Sequence, residues 1–185
     1  MSIRNLDSLF NPASVAVIGA SERQHAVGST IWRNLRDGGF SGTLHAVNPK
    51  YRTLSGQPCH ARVEDLPETA EMAVICTPPA TVVPLVRQLA RHGTQAVVLM
   101  SAGLDAAQKQ AVLDAARPTL MRILGPNSVG LLAPHAGLNA SLAHVGVHPG
   151  KLAFVSQSGA LVTATLDWAE PRQIGFSHFV SLGEH

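Results

Sequence analysis

The clearest chemical signal in the sequence is a glycine turn that follows an uncharged run near the amino terminus. Val15–Gly19 carries no charge, is β-branched at three of its five positions and ends in glycine. Such a run is typical of a parallel strand covered by helices on both faces. A polar loop follows, and then Ile31 and Leu35 show helical spacing. A strand, a turn and a helix start place free backbone N–H groups and a positive dipole end together, which predicts a phosphate site.

The turn departs from the dinucleotide fingerprint G-x-G-x-x-G, because Gly19 and Gly28 lie nine positions apart. A single glycine after a first strand can also serve only to reverse the chain, as it does in many α/β domains. The turn by itself leaves both interpretations open.

The end of the second predicted strand discriminates better between nucleotides. Leu44–Val47 is followed by Asn48, Pro49 and Lys50. NAD-binding domains usually carry an acidic residue here, which holds the ribose 2′-hydroxyl. An acid would repel a phosphorylated ribose, whereas a lysine would attract one. The predicted ligand is therefore a nucleotide with an additional ribose phosphate: coenzyme A, with NADP as the alternative.

Alternating strands and helices must position these residues. The predicted strands are 15–18, 43–47, 72–76, 96–100 and 121–124, with helices following the first, third and fourth, while 48–67 shows no regular pattern. Each strand ends in a polar or Gly/Pro turn, and such carboxyl ends bind ligands in parallel sheets. The pattern predicts an α/β fold, a Rossmann-type doubly wound parallel sheet.

The pattern restarts after residue 148 with a strand at 152–155, a helix at 160–169 and a strand at 176–180. One strand–helix–strand unit is too small for a core of its own. We therefore expect a nucleotide-binding domain over 1–148 and the truncated start of a second α/β domain over 149–185.

The composition argues against several classes of protein. Hydrophobic residues make up 45% and charged residues 14%, which suits a filled α/β core, and the net charge of +2 is too small to indicate nucleic acid or an anionic membrane. The 4% of aromatic residues gives no base-stacking platform. Neither a signal-peptide pattern nor an apolar run of membrane length occurs, so we expect a cytoplasmic protein.

The two cysteines do not indicate a metal. Cys76 ends a predicted strand and is best explained as a small buried hydrophobe. Cys59 neighbours His60, but no second Cys/His pair follows at zinc spacing. No metal site is predicted.

Five motifs occur in a fixed order: VAVIGAS at 15–21, VNPKY at 47–51, SAG at 101–103, LGPN at 124–127 and FVSQSGA at 154–160. Together they resemble the CoA-binding domain of NDP-forming acyl-CoA synthetases and the succinyl-CoA-synthetase-like, flavodoxin-like segment that follows it. The same two domains open the bacterial protein lysine acetyltransferases that carry a GNAT domain. Residues 125–134 and 137–140 resemble that branch most.

The resemblance implies that CoA or acetyl-CoA is the cofactor. The cofactor-binding residues that it implies are Gly19, Ser21, Glu22, Arg23, Gln24, Gly28, Lys50, Thr77, Pro79, Ser101, Ala102, Gly103 and Asn127. For some of them a simpler role competes: Arg23 and Lys50 as solvated cations, Thr77 and Pro79 as a helix start, Asn127 as a turn residue.

A second set, Ser156, Ser158 and Gly159, is expected at a helix start that in the family helps to hold a phosphorylated histidine. The residue His135 matches the family's phosphorylation motif only superficially, and we expect it in a connecting loop. No residue of this chain is predicted to be catalytic.

The function predicted is a CoA- or acyl-CoA-binding module that binds without catalysing. Its parent would be either a synthetase, converting acyl-CoA, NDP and phosphate to acid, CoA and NTP, or an acetyltransferase in which the site senses acetyl-CoA. Partners would be the CoA thioester and the remaining parent domains, with the oligomeric state open. Two alternatives remain: an NADP oxidoreductase domain, disfavoured by the missing fingerprint, and a complete regulatory CoA-binding protein.

Overall fold

The computed structural model of the chain describes residues 3–184, so the outermost residues of the two predicted domains, 1–2 and 185, lie outside it. The α-helices and strands are α1 (Asp7–Phe10), β1 (Ser14–Ile18), α2 (Val27–Asp37), β2 (Thr43–Val47), β3 (Thr53–Leu54), β4 (Gln57–His60), β5 (Met72–Ile75), α3 (Pro79–His92), β6 (Ala96–Leu99), α4 (Ala106–Ala116), β7 (Arg122–Leu124), β8 (Gly130–Ala133), β9 (Leu138–Ser141), β10 (His148–Ser156), α5 (Gly159–Ala169) and β11 (Gly175–Ser181). None of the helices in this part of the chain combines the length and apolarity that a bilayer crossing needs.

The larger sheet has the strand order β3-β4-β2-β1-β5-β6-β7 and is parallel except for the β3–β4 hairpin. All five residues of β1 are buried, because Val15 and Val17 pack on the α2 face while Ala16 and Ile18 pack on the α3–α4 face. Burial on both faces explains the uninterrupted apolar run. The predicted α/β class with a doubly wound parallel sheet is confirmed.

The segment 48–67, predicted to be irregular, contains the β3–β4 hairpin. Its two-residue turn, Ser55 and Gly56, has φ angles of 51° and 78°, as a type I′ turn requires. These strands of two and four residues are too short to show an alternating pattern that would predict them.

The smaller sheet has the order β10-β11-β8-β9. Its β8–β9 hairpin comes from residues 130–141, where we had predicted no strands, and it pairs with β11. The strand–helix–strand unit after residue 148 therefore shares its sheet with a hairpin that precedes it. Where the domain boundary lies remains a prediction.

Strand β10 lies at the edge of this sheet. Four apolar side chains on β10 and α5 are each more than half exposed: Leu152, Val155, Leu161 and Trp168. Within residues 3–184, the rest of the structure leaves these four apolar side chains largely open to solvent.

Two buried serines join the sheets. Ser128 Oγ donates to the carbonyl oxygen of Ser181 (2.6 Å) and accepts from the N–H of Gly130 (2.8 Å), while Ser181 Oγ accepts from the N–H of Val129 (3.0 Å). Ser156 is in parallel register with Ser181. The carboxyl ends of β10 and β11 therefore meet the turn that follows β7.

The start of α2 lies directly against the glycine turn after β1. A Cβ atom built on Gly28 would overlap the carbonyl oxygen of Gly19. Gly28 thus permits the close packing of helix on strand that the dinucleotide fingerprint assigns to its last glycine, although the intervening loop is longer.

We expect Gly28→Ala to lower the free energy of unfolding by about 1–3 kcal/mol, because the overlap outweighs the helix propensity that alanine adds. Denaturant unfolding followed by circular dichroism measures this change. Gly146→Ala is the matched control, since a Cβ there meets open space and φ is not positive. Equal stability of the two variants would contradict the packing argument.

Candidate functional site

The parallel register brings residues from five strands to one edge of the large sheet. Gly19 follows β1, Lys50 follows β2, Thr77 follows β5, Ser101 follows β6 and Asn127 follows β7. The chain leaves β1 towards β2 and returns to β5 on the opposite side of β1. This reversal of strand order is where open α/β sheets bind their ligands.

One amide ties the ends of β1 and β2 together. Asn48 Nδ2 donates to the carbonyl oxygen of Ala20 (2.8 Å), and Asn48 Oδ1 accepts from the backbone N–H of Lys50 (3.0 Å). The N–H of Gly19 also donates to the carbonyl oxygen of Val47 (2.8 Å). The segment that carries Lys50 is therefore held against the glycine turn.

The β1–α2 loop presents free donors and free cations. The backbone N–H groups of Ser21, Glu22 and Gln24 have no acceptor among residues 3–184, while that of Arg23 donates to Ser21 Oγ (3.0 Å). Within the same residues, the exposed side chains of Arg23 and Lys50 make no hydrogen bond or ion pair. Unpaired N–H groups beside unpaired cations suit a phosphorylated ligand.

The side chain of Glu22 is engaged elsewhere. Its Oε1 accepts from the N–H (2.7 Å) and the hydroxyl (3.3 Å) of Ser55 in the β3–β4 turn. Glu22 can therefore offer a ligand its backbone, while its carboxylate is bonded to the hairpin.

The turns after β5 and β6 are locked to each other. The buried Ser101 donates through Oγ to the carbonyl oxygen of Thr77 (2.6 Å), and Thr81 Oγ1 donates to Thr77 Oγ1 (2.7 Å). Pro79 is the first residue of α3. The hydrogen bond between Ser101 and Thr77 thus holds the turns after β5 and β6 together at this edge of the sheet.

Next to Ser101, the backbone is open to solvent. Ala102 and Gly103 are exposed, and a Cβ on Gly103 would meet nothing within 4 Å. The φ of 79° at position 103 favours glycine. The open space beside Gly103 leaves room for a ligand along the backbone.

Asn127 occupies the left-handed region, with φ at 52°, and donates from Nδ2 to Glu184 Oε1 (2.7 Å). Glu184 also accepts from Lys109 Nζ (3.4 Å). The pKa of the Glu184 carboxyl is lowered, first by the hydrogen bond from Asn127 and then by Lys109. Sequence reasoning missed Glu184, because nothing in its local pattern links it to a residue 57 positions earlier.

The second predicted set lies at the start of α5. Ser158 Oγ accepts from the N–H of Leu161 (3.2 Å), and the N–H of Ser158 donates to Ser156 Oγ (3.1 Å). A Cβ built on Gly159 would lie 2.9 Å from Val129 Cγ2. The helix start therefore packs against the β7–β8 turn, which also carries Asn127.

His135 lies in a short 3-10 turn, Pro134–Ala136, where Nε2 lies 3.0 Å from the carbonyl oxygen of Gly150. That turn is the connection between β8 and β9. Within the described residues, no cluster of three or more histidine, cysteine or acidic side chains is arranged to hold a metal ion.

Two family models match the chain. The CoA binding domain matches residues 13–134, and the succinyl-CoA ligase like flavodoxin domain matches residues 149–185. The second match confirms the expected flavodoxin-like region.

Curated relatives and solved structures agree with these matches. The chain is 39% identical over 184 residues to acetate–CoA ligase [ADP-forming] I of Archaeoglobus fulgidus, covering 96% of this chain and 27% of the relative. It is 37% identical to acetate–CoA ligase [ADP-forming] I subunit alpha of Pyrococcus furiosus, covering 97% of this chain and 41% of that subunit.

A similar solved structure is the dinucleotide forming acetyl-coenzyme A synthetase 1 of Ca. Korarchaeum cryptofilum, in complex with phosphate and ADP. Its TM-score is 0.92 at 36% identity, and the match covers 96% of this chain and 39% of the other. The chain thus spans less than half the length of these three proteins.

Both thiols of the chain are free, and burial raises the pKa of each. For Cys59 the backbone of Asn48 offsets part of the rise; for Cys76 burial is the sole cause. A raised pKa lowers the thiolate fraction at neutral pH.

We therefore expect both thiols to react more slowly with a disulfide reagent at pH 8 than free cysteine does. Unfolding in guanidinium should release two reactive thiols per chain, and the single variants Cys59→Ser and Cys76→Ser assign the rates. A native thiol that reacts as fast as free cysteine would contradict its raised pKa.

Proposed function

The chain belongs to the CoA-binding domain family of NDP-forming acyl-CoA synthetases, and from this membership we propose how it holds CoA and what its parent protein does. CoA or an acyl-CoA is its cofactor. The observation that carries the proposed site is the pair of unpaired cations, Arg23 and Lys50, on loops that one amide ties together.

The CoA phosphates rest on the loop Ser21–Gln24, with Gly19 and Gly28 allowing close approach to the backbone. Arg23 supplies positive charge at the loop. Lys50 faces the ribose phosphate, because a lysine at the end of the second strand favours a phosphorylated ribose over a plain one.

The other strand ends line the ligand's path. Thr77 and Pro79 form a wall beside the glycine turn, and the open backbone at Ala102 and Gly103 accommodates the adenine or the pantetheine arm. Ser101 and Asn127 act by holding these turns in place, which is supported by their bonds to Thr77 and Glu184.

The start of α5 serves as the phosphate end of the site. Ser156, Ser158 and Gly159 hold a phosphorylated group there in the parent protein. The packing of Gly159 against Val129 supports this assignment, because it sets the helix start beside the turn after β7.

The parent is an acid–thiol ligase. It converts an acyl-CoA, phosphate and a nucleoside diphosphate to the acid, CoA and the triphosphate, through an acyl phosphate and a histidine outside this chain. Acetate–CoA ligases [ADP-forming] among the relatives support this reaction. The second candidate is a protein lysine acetyltransferase that senses acetyl-CoA here, favoured by the sequence of residues 125–134 and 137–140.

The remaining part of a flavodoxin-like domain is the natural cover for the exposed side chains of β10 and α5. We keep the boundary near residue 148 and a cytoplasmic location as parts of this proposal. An NADP-binding domain remains the alternative ligand assignment for Lys50.

Lys50→Ala should weaken CoA binding by about tenfold, as expected for the loss of one charge-assisted contact, and should weaken 3′-dephospho-CoA binding much less. Isothermal titration with CoA, 3′-dephospho-CoA and NADP measures these affinities. Lys151→Ala, which removes an exposed cation on β10, is the control.

Equal affinity of the unchanged chain for CoA and 3′-dephospho-CoA would remove the assignment of Lys50. Tight NADP binding without CoA binding would favour the oxidoreductase alternative.

The intact parent protein, incubated with acetyl-CoA, phosphate and ADP, should produce ATP and free CoA in equal amounts. Transfer of labelled acetyl groups to protein lysine without ATP formation would favour the acetyltransferase instead. Leaving out phosphate is the control, because only the ligase reaction consumes it.

A further inference from the structure

Three consecutive residues of the β1–α2 loop are each bonded to the segment that follows β2. Ala20 accepts from Asn48 Nδ2 (2.8 Å), the hydroxyls of Ser21 and Tyr51 lie 3.3 Å apart, and Glu22 Oε1 accepts from the N–H of Ser55 (2.7 Å). We call these three contacts the loop clasp. The clasp joins the first half of the loop to β2 and to the β3–β4 hairpin.

Glu22 is the unexpected member of the clasp. A carboxylate in a loop that binds phosphates repels its ligand, and in this exposed setting the repulsion is screened by solvent but remains unfavourable. The loop also carries Arg23, which attracts the same ligand. An acidic residue here therefore needs a stabilising contact that outweighs the repulsion between its carboxylate and the phosphates.

The hydrogen bonds between Glu22 and Ser55 provide such a contact. The type I′ turn directs the N–H of Ser55 away from the hairpin ladder, and Glu22 Oε1 accepts from both that N–H and the Ser55 hydroxyl. Among residues 3–184, the part of the loop beyond Glu22 is bonded only within itself and to the start of α2, through Arg23 and Ala26. Glu22 is thus the last loop residue that the described structure joins to β2 or the β3–β4 hairpin.

We propose that Glu22 is a positioning residue whose bond to Ser55 holds the β1–α2 loop in the form that accepts CoA phosphates. This inference rests on the proposed function of the loop. The carboxylate of Glu22 acts through the hairpin, so its effect on binding has the opposite sign to that of its charge.

The two roles of Glu22 predict opposite effects on CoA affinity, so substitutions can tell them apart. Glu22→Ala should weaken CoA binding about tenfold, because the loop loses its anchor. Glu22→Gln should bind CoA at least as tightly as the unchanged chain, because the amide oxygen still accepts from Ser55 and the negative charge is gone. Isothermal titration of the 185-residue chain with CoA measures both.

Glu64→Ala is the matched control, since it removes an exposed carboxylate from another turn and should leave CoA affinity within about twofold, as distant surface charges are screened. Thermal unfolding of every variant accompanies the titrations. If Glu22→Ala fails to fold, Ser55→Ala, which removes only the hydroxyl contact, should still weaken binding measurably.

The outcomes separate the two claims. If the unchanged chain binds CoA and Glu22→Ala binds it equally well or more tightly, Glu22 is only a repulsive charge and the inference is overturned alone. Weakening by Glu22→Gln equal to that by Glu22→Ala would also overturn it. If the unchanged chain binds no CoA, the proposed function fails and the inference falls with it.

Discussion

The contact between Gly28 and the carbonyl oxygen of Gly19 is the constraint on which the candidate site depends. It leaves no room for a side chain at the start of α2, so the helix begins directly against the turn after β1. Because both ends of the loop between them are fixed at one place, the eight intervening residues must bulge outwards. The loop thereby exposes backbone donors at the edge where the parallel strands end.

Polar residues at this edge divide into those that build it and those that are free to bind. The side chains of Asn48, Ser101 and Asn127 form hydrogen bonds to neighbouring segments. Those of Arg23 and Lys50 have no such partner within residues 3–184. The division follows from reach: short side chains bond groups on the segments packed against them, and long cationic ones extend into solvent. Acidic Glu22 and Glu184 are both engaged by donors, which limits their repulsion of an anionic ligand.

Buried hydrogen bonds connect the larger sheet to the smaller one. The bonds between Ser128 and Ser181 close the gap between the turn after β7 and the end of β11. Loss of either hydroxyl would leave buried polar groups unpaired, which is costly. The start of α5 lies beside this junction, because a Cβ atom on Gly159 would lie 2.9 Å from Cγ2 of Val129, two residues after Asn127.

The sequence by itself determined the parallel sheet, the glycine turn and the cationic strand end, because long apolar runs, turn residues and charge are local signals. Tertiary structure alone decided that residues 130–141 join the second sheet, that a hairpin lies within 48–67 and that Glu22 bonds Ser55. These features depend on pairing between segments far apart in the chain. Short strands carry little periodicity, and a carboxylate's partner cannot be chosen until the fold brings a donor within reach.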